Sequence, residues 1–243
     1  MSDKITVEEY RRRHSIFWNN IWREAIEPNC FKCLDIATGS GSSASKLHEF
    51  TRGIVTSVDV SREALANARK KVPLEVMLVQ CDASKLPFRN LSMDLIVIHF
   101  TFHEIPPEKR ELLLMECYRV LKRKGKICVI DGHVHDRHSL RYWLTDIVTR
   151  MILESGRYHE NYLEPPAIAR ELTMAGFEIE NEKASINDTP VPDEIVEWYV
   201  KELREKFPNA SEKLLEELER FKENALKKGL ESLGAALVVG VKR

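Results

Sequence analysis

The chain has 243 residues, 43% of them hydrophobic, with a formal net charge of −1 and a pI of about 6.7. That length holds a sizeable α/β core. A near-neutral balance supplies no basic face and no run of about 18 apolar residues occurs, so composition argues against nucleic acid and the membrane as partners.

The start, Met1-Ser2-Asp3-Lys4, carries no export pattern, so a cytoplasmic address with reduced thiols is expected. Residues 7–26 space Val7, Tyr10, His14, Phe17 and Ile21 at three or four, an amphipathic helix that Pro28 and Asn29 end. Cys30 and Cys33 form a C-x-x-C pair. With no second pair at ligand spacing and Cys33 opening an apolar run, the pair is read as structural.

Strand and helix patterns then alternate. Apolar runs at 31–37, 53–58, 74–79, 95–100 and 126–130 are separated by helical patterns at 42–50, 61–71 and 107–121. Such alternation predicts a parallel sheet with helices on both faces, a Rossmann-like α/β fold. Beyond it, residues 139–155 and 165–175 read as helices and 177–182 and 235–241 as strands, with Gly176 as a helix stop. Between those strands sits an insertion over 187–230. Its first helix carries Ile195, Trp198, Tyr199 and Leu203 until Pro208 breaks it, and its second opens at an Asn209/Glu212 capping box and closes at Gly229. A single domain over 1–243 is expected, with 1–28 as a helical extension and 187–230 as a helical hairpin, either extra packing or a cover for a substrate pocket.

The informative segment is Leu34-Asp35-Ile36-Ala37-Thr38-Gly39-Ser40-Gly41-Ser42-Ser43, a buried strand running through a glycine turn into a helix. Gly39 and Gly41 permit unusual backbone angles, and the helix aims free N–H groups at a ligand. Alone this also satisfies a relaxed dinucleotide fingerprint. Asp59, ending the second strand, can accept from ribose hydroxyls in either cofactor. Asp35 separates the readings: a dinucleotide does not need it, whereas S-adenosylmethionine brings an ammonium and a sulfonium. Cys81-Asp82-Ala83, ending the third strand, can meet an adenine edge. Ala37, entering the turn, is expected to keep ordinary backbone angles.

These motifs, with Phe102-His103-Glu104-Ile105-Pro106 and Arg119-Val120-Leu121-Lys122, resemble class I S-adenosylmethionine-dependent methyltransferases, in particular the ubiquinone/menaquinone-biosynthesis type, over about residues 30–182 and again from 232. The resemblance implies a mostly parallel seven-stranded sheet with an antiparallel last strand. It implies S-adenosyl-L-methionine as cofactor, held by Asp35, Ala37, Thr38, Gly39, Ser40, Gly41, Asp59, Val60, Cys81, Asp82, Ala83, His99 and Phe100. Arg123-Lys124 replaces the usual proline-glycine before strand five.

Methyl transfer from a sulfonium is an in-line displacement in which the protein aligns the acceptor and excludes water. Five of the eight histidines fall in the loops after strands four and five. His103, His133 and His135 are the catalytic candidates, as general bases, as metal ligands, or as ordinary polar loop residues. Tyr10, Phe17, Trp18, Tyr142, Trp143, Trp198 and Tyr199 are expected either to wall a pocket for a flat or apolar small molecule or to be core. Rival readings are a non-catalytic S-adenosylmethionine-binding module, an NAD(P)-dependent oxidoreductase, and a methyltransferase acting on protein or RNA.

Overall fold

The computed structural model describes residues 5–27 and 30–243. The expected helix stop at Pro28-Asn29 and the polar start at 1–4 lie outside the described residues. In chain order the elements are α1 (Val7–Ala25), β1 (Lys32–Ile36), α2 (Ser42–Thr51), β2 (Ile54–Asp59), α3 (Arg62–Arg69), β3 (Met77–Gln80), β4 (Met93–His99), α4 (Pro107–Val120) and β5 (Leu121–His133). There follow α5 (Leu140–Glu154), α6 (Pro165–Met174), β6 (Glu178–Ser185), β7 (Pro190–Val191), α7 (Asp193–Lys206), α8 (Glu212–Lys228), β8 (Leu230–Glu231) and β9 (Gly234–Val241).

Seven strands make one mostly parallel sheet in the order β3-β2-β1-β4-β5-β9-β6, with one strand antiparallel. β1 lies parallel between β2 and β4, pairing Asp35 with Ser57 on one side and Val97 on the other. The chain reverses its direction of travel across the sheet at β1 and β4, where open α/β sheets form a crevice at their carboxyl ends. The central strands read as unbroken apolar runs because both faces are covered. Leu34, Ile36, Ile96 and Ile98 pack with Leu113, Leu114 and Cys117 of α4 and with Ile168 and Leu172 of α6.

The chain divides into two compact units. A sheet unit comprises Asn20–Asp131, Leu163–Ala184 and Ala236–Arg243. A helical unit comprises the chain up to Asn19, Gly132–Tyr162 and Ser185–Ala235. The helical unit has its own core, in which Leu144, Ile147 and Met151 of α5 meet Val196, Val200 and Leu203 of α7 and Leu214, Leu218 and Phe221 of α8.

Local chemistry sets most boundaries. Ser61 caps α3 by accepting from the Ala64 N–H (3.1 Å), and Ser139 caps α5 by accepting from the Tyr142 N–H (3.1 Å). Gly176 at φ 98° ends the turn after α6. Three expectations are corrected, and one short ribbon is new. The Asn209/Glu212 capping box does not form: α8 begins after Ser211, whose N–H and hydroxyl donate to the Glu154 carboxylate at 2.8 Å each. The third apolar run shortens to Met77–Gln80, leaving Leu74 87% exposed in the preceding turn. The antiparallel ribbon of β7 and β8, which closes the base of the α7–α8 hairpin, is too short to show an alternation. Ala37 lies at φ 60°, in the left-handed region rather than at ordinary angles. All five cysteines are free thiols, and burial pushes the Cys33 thiol up to about 12.

Candidate active site

The glycine turn between β1 and α2 is built from three left-handed residues, Ala37 (φ 60°), Gly39 (φ 49°) and Gly41 (φ 86°). A Cβ on Gly41 would stand 2.6 Å from Val72 Cγ1 and 3.2 Å from Ala68 Cα, so only glycine lets the turn seat against the chain after α3. A Cβ on Gly39 would meet nothing within 4 Å, because that position faces open space. The turn is tied to β2: the Gly39 N–H donates to Asp59 Oδ2 (3.0 Å), while Asp59 Oδ1 accepts from the Ser61 N–H (2.8 Å).

Above this turn, within the sheet unit, lies a cavity of about 700 Å³. The ends of four adjacent strands wall it: the 36–43 turn from β1, Val58 to Val60 from β2, Cys81 to Ser84 after β3, and His99 to Thr101 after β4. Such a volume suits a small-molecule cofactor. Asp82 is exposed there and caps a short 3₁₀ turn, Oδ1 accepting from the Ser84 N–H at 2.9 Å. That bond, with the Ser84 hydroxyl, holds its carboxyl below the usual carboxylate range.

Asp35 sits beneath the turn with no solvent exposure. Its Oδ2 accepts from the Ser57 hydroxyl at 2.5 Å. Its Oδ1 is buried without a hydrogen-bond partner, as is Thr38 Oγ1. Burial pushes the Asp35 carboxyl up to about 6, against the pull of the Ser57 hydroxyl bonded to it. Two orphaned polar atoms beside a glycine turn mark a place where a polar ligand completes the structure.

Of the thirteen cofactor positions expected from sequence, Ala37, Thr38, Gly39, Ser40, Asp59, Val60, Cys81, Asp82, Ala83, His99 and Phe100 line this cavity. Asp35 lies below it and Gly41 shapes the turn without facing it. Sequence reasoning passed over Thr101 and Glu104, which line it from the β4–α4 connection, and Lys109 and Leu113, which line it from α4. The 3₁₀ turn over Phe102–Glu104 brings them there, and its only trace in the sequence is the Phe102–Pro106 motif.

The catalytic candidates fare differently. His103 does not line the cavity: it is 3% exposed, and its Nδ1 stands 2.8 Å from the Asp131 carboxylate, which also accepts from the His103 N–H. That pair ties the loop after β4 to the end of β5, a positioning role. His133 and His135 belong to the helical unit, their rings 6.4 Å apart, and neither lines the cavity. The histidine among its lining residues is His99, whose ring packs against Trp22 (5.2 Å) and edge-on to Phe100 (4.8 Å). Burial drives His99 down to about 4, so it is neutral at physiological pH.

A methyltransferase-domain family model matches residues 34–129, the span holding the turn, Asp59, Asp82 and β4. The demethylmenaquinone methyltransferase of Thermotoga maritima is 30% identical over 183 residues, covering 65% of this chain and 77% of that protein. The chain belongs to the class I S-adenosylmethionine-dependent methyltransferases.

Other relatives match over a shorter span. The ubiquinone/menaquinone biosynthesis C-methyltransferase of Desulfotalea psychrophila is 32% identical over 117 residues, and the match spans about half of each protein, 45% of this chain and 47% of the relative. An S-adenosylmethionine-dependent methyltransferase structure from Methanosarcina mazei shares the fold, with a TM-score of 0.59 at 17% identity, covering 91% of this chain and 97% of that one. The methyltransferase is thus an enzyme whose methyl donor is S-adenosylmethionine. Among the described residues no helix is long and apolar enough to cross a membrane.

Proposed function

We propose that the methyltransferase holds S-adenosylmethionine in the 700 Å³ cavity of the sheet unit and methylates a small-molecule acceptor in the cytoplasm. The observation that carries the reading is the gathering of Gly39, Asp59, Asp82 and His99 around one cavity, with two unpartnered buried polar atoms below it. When bound, the cofactor supplies an already activated methyl on a sulfonium. The protein's own residues then bind, orient and exclude water.

In this reading Asp59 accepts from ribose hydroxyls, and Asp82 with the Ala83 N–H receives the adenine edge. The backbone N–H groups opening α2 face the amino-acid end, where Asp35 supplies negative charge. Neutral His99 shapes the cavity wall without adding a positive charge that a sulfonium would repel. In this reading no cavity-lining side chain is assigned the role of base, and the acceptor arrives able to lose its proton or attacks as a neutral nucleophile. A flat, largely apolar acceptor is supported by the names of the relatives, a demethylmenaquinone methyltransferase and a ubiquinone/menaquinone biosynthesis C-methyltransferase.

Calorimetric titration with S-adenosylhomocysteine and with NADH tests the site. Micromolar binding of the first and none of the second is expected, with Asp59→Asn and Asp82→Asn each weakening it at least tenfold. Wild-type affinity in both variants overturns the assignment.

A further inference from the structure

The helical unit contains a second cavity, of about 640 Å³, that the cofactor does not explain. Its walls are mostly aromatic and aliphatic, with Tyr10, Leu144, Val196, Trp198, Tyr199 and Phe221 among them. Arg11 and Glu194 stand at its exposed rim. A half-buried cation lines it too: Arg141, from the first turn of α5, which also borders two small neighbouring cavities of the same unit.

The surroundings of Arg141 leave it short of a partner. Its Nε and Nη2 both donate to one backbone oxygen, Glu231 O, at 2.9 and 2.5 Å. Among the described residues its Nη1 donates to nothing, and no carboxylate forms an ion pair with it. The phenols of Tyr199, Tyr10 and Tyr162 and the Glu231 carboxylate stand nearest to it among the groups that bear on its charge. Loss of water around the guanidinium lowers its pKa, the direction that an anion beside it would reverse.

A second polar group points the same way. His14 also lines the cavity, stacked on Tyr10 (ring centroids 5.3 Å apart), and its Nδ1 is buried without a hydrogen-bond partner. Burial and the neighbouring Arg141 lower its pKa, keeping the imidazole neutral beside the cation. A guanidinium with spare donors and an unpartnered imidazole nitrogen, set in an apolar chamber, form the recognition pattern for an anion on an apolar body.

We infer that this cavity binds an apolar carboxylate, its anion on Arg141 and His14 and its hydrocarbon against Trp198, Tyr199 and Phe221. The site is argued from its own walls and stands apart from the cofactor reading. The test is calorimetric titration of the full chain with 2-naphthoate and with its neutral isostere 2-naphthamide. The carboxylate binds at least tenfold more tightly than the amide, and saturating S-adenosylhomocysteine does not displace it. Arg141→Met narrows the gap to less than threefold by weakening the carboxylate alone. Because Arg141 also anchors β8, Trp198→Ala provides a second arm: Trp198 is 55% exposed, so its removal leaves the fold intact and weakens both probes at least fivefold. Equal binding of acid and amide, displacement by S-adenosylhomocysteine, an unchanged gap in a folded Arg141→Met variant, or unchanged binding in Trp198→Ala overturns the inference.

Discussion

Asp35 has no exposed surface, and its carboxyl is shifted from 3.8 to about 6 by burial. An acid whose folded pKa is raised contributes stability that is complete below pH 3.8 and is lost as pH rises through about 6. A two-unit shift corresponds to about 3 kcal/mol, which the neutral isostere Asp35→Asn escapes above pH 6. In the proposed site the ionised form is the one that the ligand uses. A bound ammonium favours the carboxylate, so affinity for S-adenosylhomocysteine rises about tenfold from pH 5 to pH 7 and flattens above. His99, held at about 4, titrates below that window. In Asp35→Asn the slope disappears, and calorimetry across pH 5–8 reads it directly. A pH slope persisting in Asp35→Asn assigns the proton elsewhere. Backbone strain makes a parallel argument at Ala37 and Gly41. An L-residue in the left-handed region costs about 1–2 kcal/mol, against about 0.5–1 for glycine's greater freedom when unfolded. Ala37→Gly thus raises Tm by about 1–4 °C. Gly41→Ala adds to the same strain a clash with Val72 and Ala68, and loses about 2–4 kcal/mol. Thermal melts separate the two, and equal melting temperatures for the pair contradict the strain argument.

The stretch Arg119-Val120-Leu121-Lys122 drew attention as a motif, and its side chains show what it does. Arg119 Nη1 donates to Phe88 O and Asn90 Oδ1, both at 2.8 Å, and Nη2 donates to Leu86 O at 2.9 Å. Glu116, one turn back on α4, braces the guanidinium at 2.7 Å and accepts from the Leu86 N–H at 2.7 Å. The pair pins the 86–90 connection against α4, just before β4 carries His99 and Phe100 to the cavity. Lys122 meets Asp94 across the register shift between Met93 and Leu95. Arg119→Met leaves these acceptors to water and costs about 2–3 kcal/mol at roughly 1 kcal/mol for each lost bond. Urea unfolding with an unchanged m-value is the check, and a loss under 0.5 kcal/mol refutes the staple. The strands and helices around such motifs were readable because apolar runs and 3.6-residue spacing are local properties. The glycine turn, Asp59 and Asp82 were readable because each ends a strand or follows one within two residues. What sequence could not supply was tertiary competition. Glu154, 57 residues from Ser211 in the chain, replaced the expected Asn209/Glu212 box, and Asp131 took the His103 ring that looked available for catalysis. Trp143, a candidate pocket wall, instead donates to Glu217 at 2.8 Å and packs edge-on to Phe221.

Two cores divide the chain, one around the sheet and one around α5, α7 and α8. The expectation of a single domain over 1–243 rested on one recognisable cofactor motif set, and local periodicity does not show that the chain up to Asn19, Gly132–Tyr162 and Ser185–Ala235 pack as one compact unit. The division has a thermodynamic consequence. Every lining residue of the cofactor cavity comes from the sheet unit, so the free energy of cofactor binding enters through that unit's backbone. At a ligand concentration 100 times Kd the bound form gains about 2.7 kcal/mol, about a hundredfold slower exchange for amides that open only in the ligand-free state. Hydrogen exchange with saturating S-adenosylhomocysteine is therefore expected to slow at residues 37–43, 58–60, 81–84 and 99–101, which contact the site, and through β1, β2 and β4 behind them. The glycine turn is the sharpest reporter, since the Gly39 N–H is already held by Asp59 and loses its route to solvent once the cavity fills. Protection that appears only across 185–235, with residues 37–43 exchanging at their ligand-free rate, places the cofactor in the wrong unit and removes the basis for every site residue assigned above.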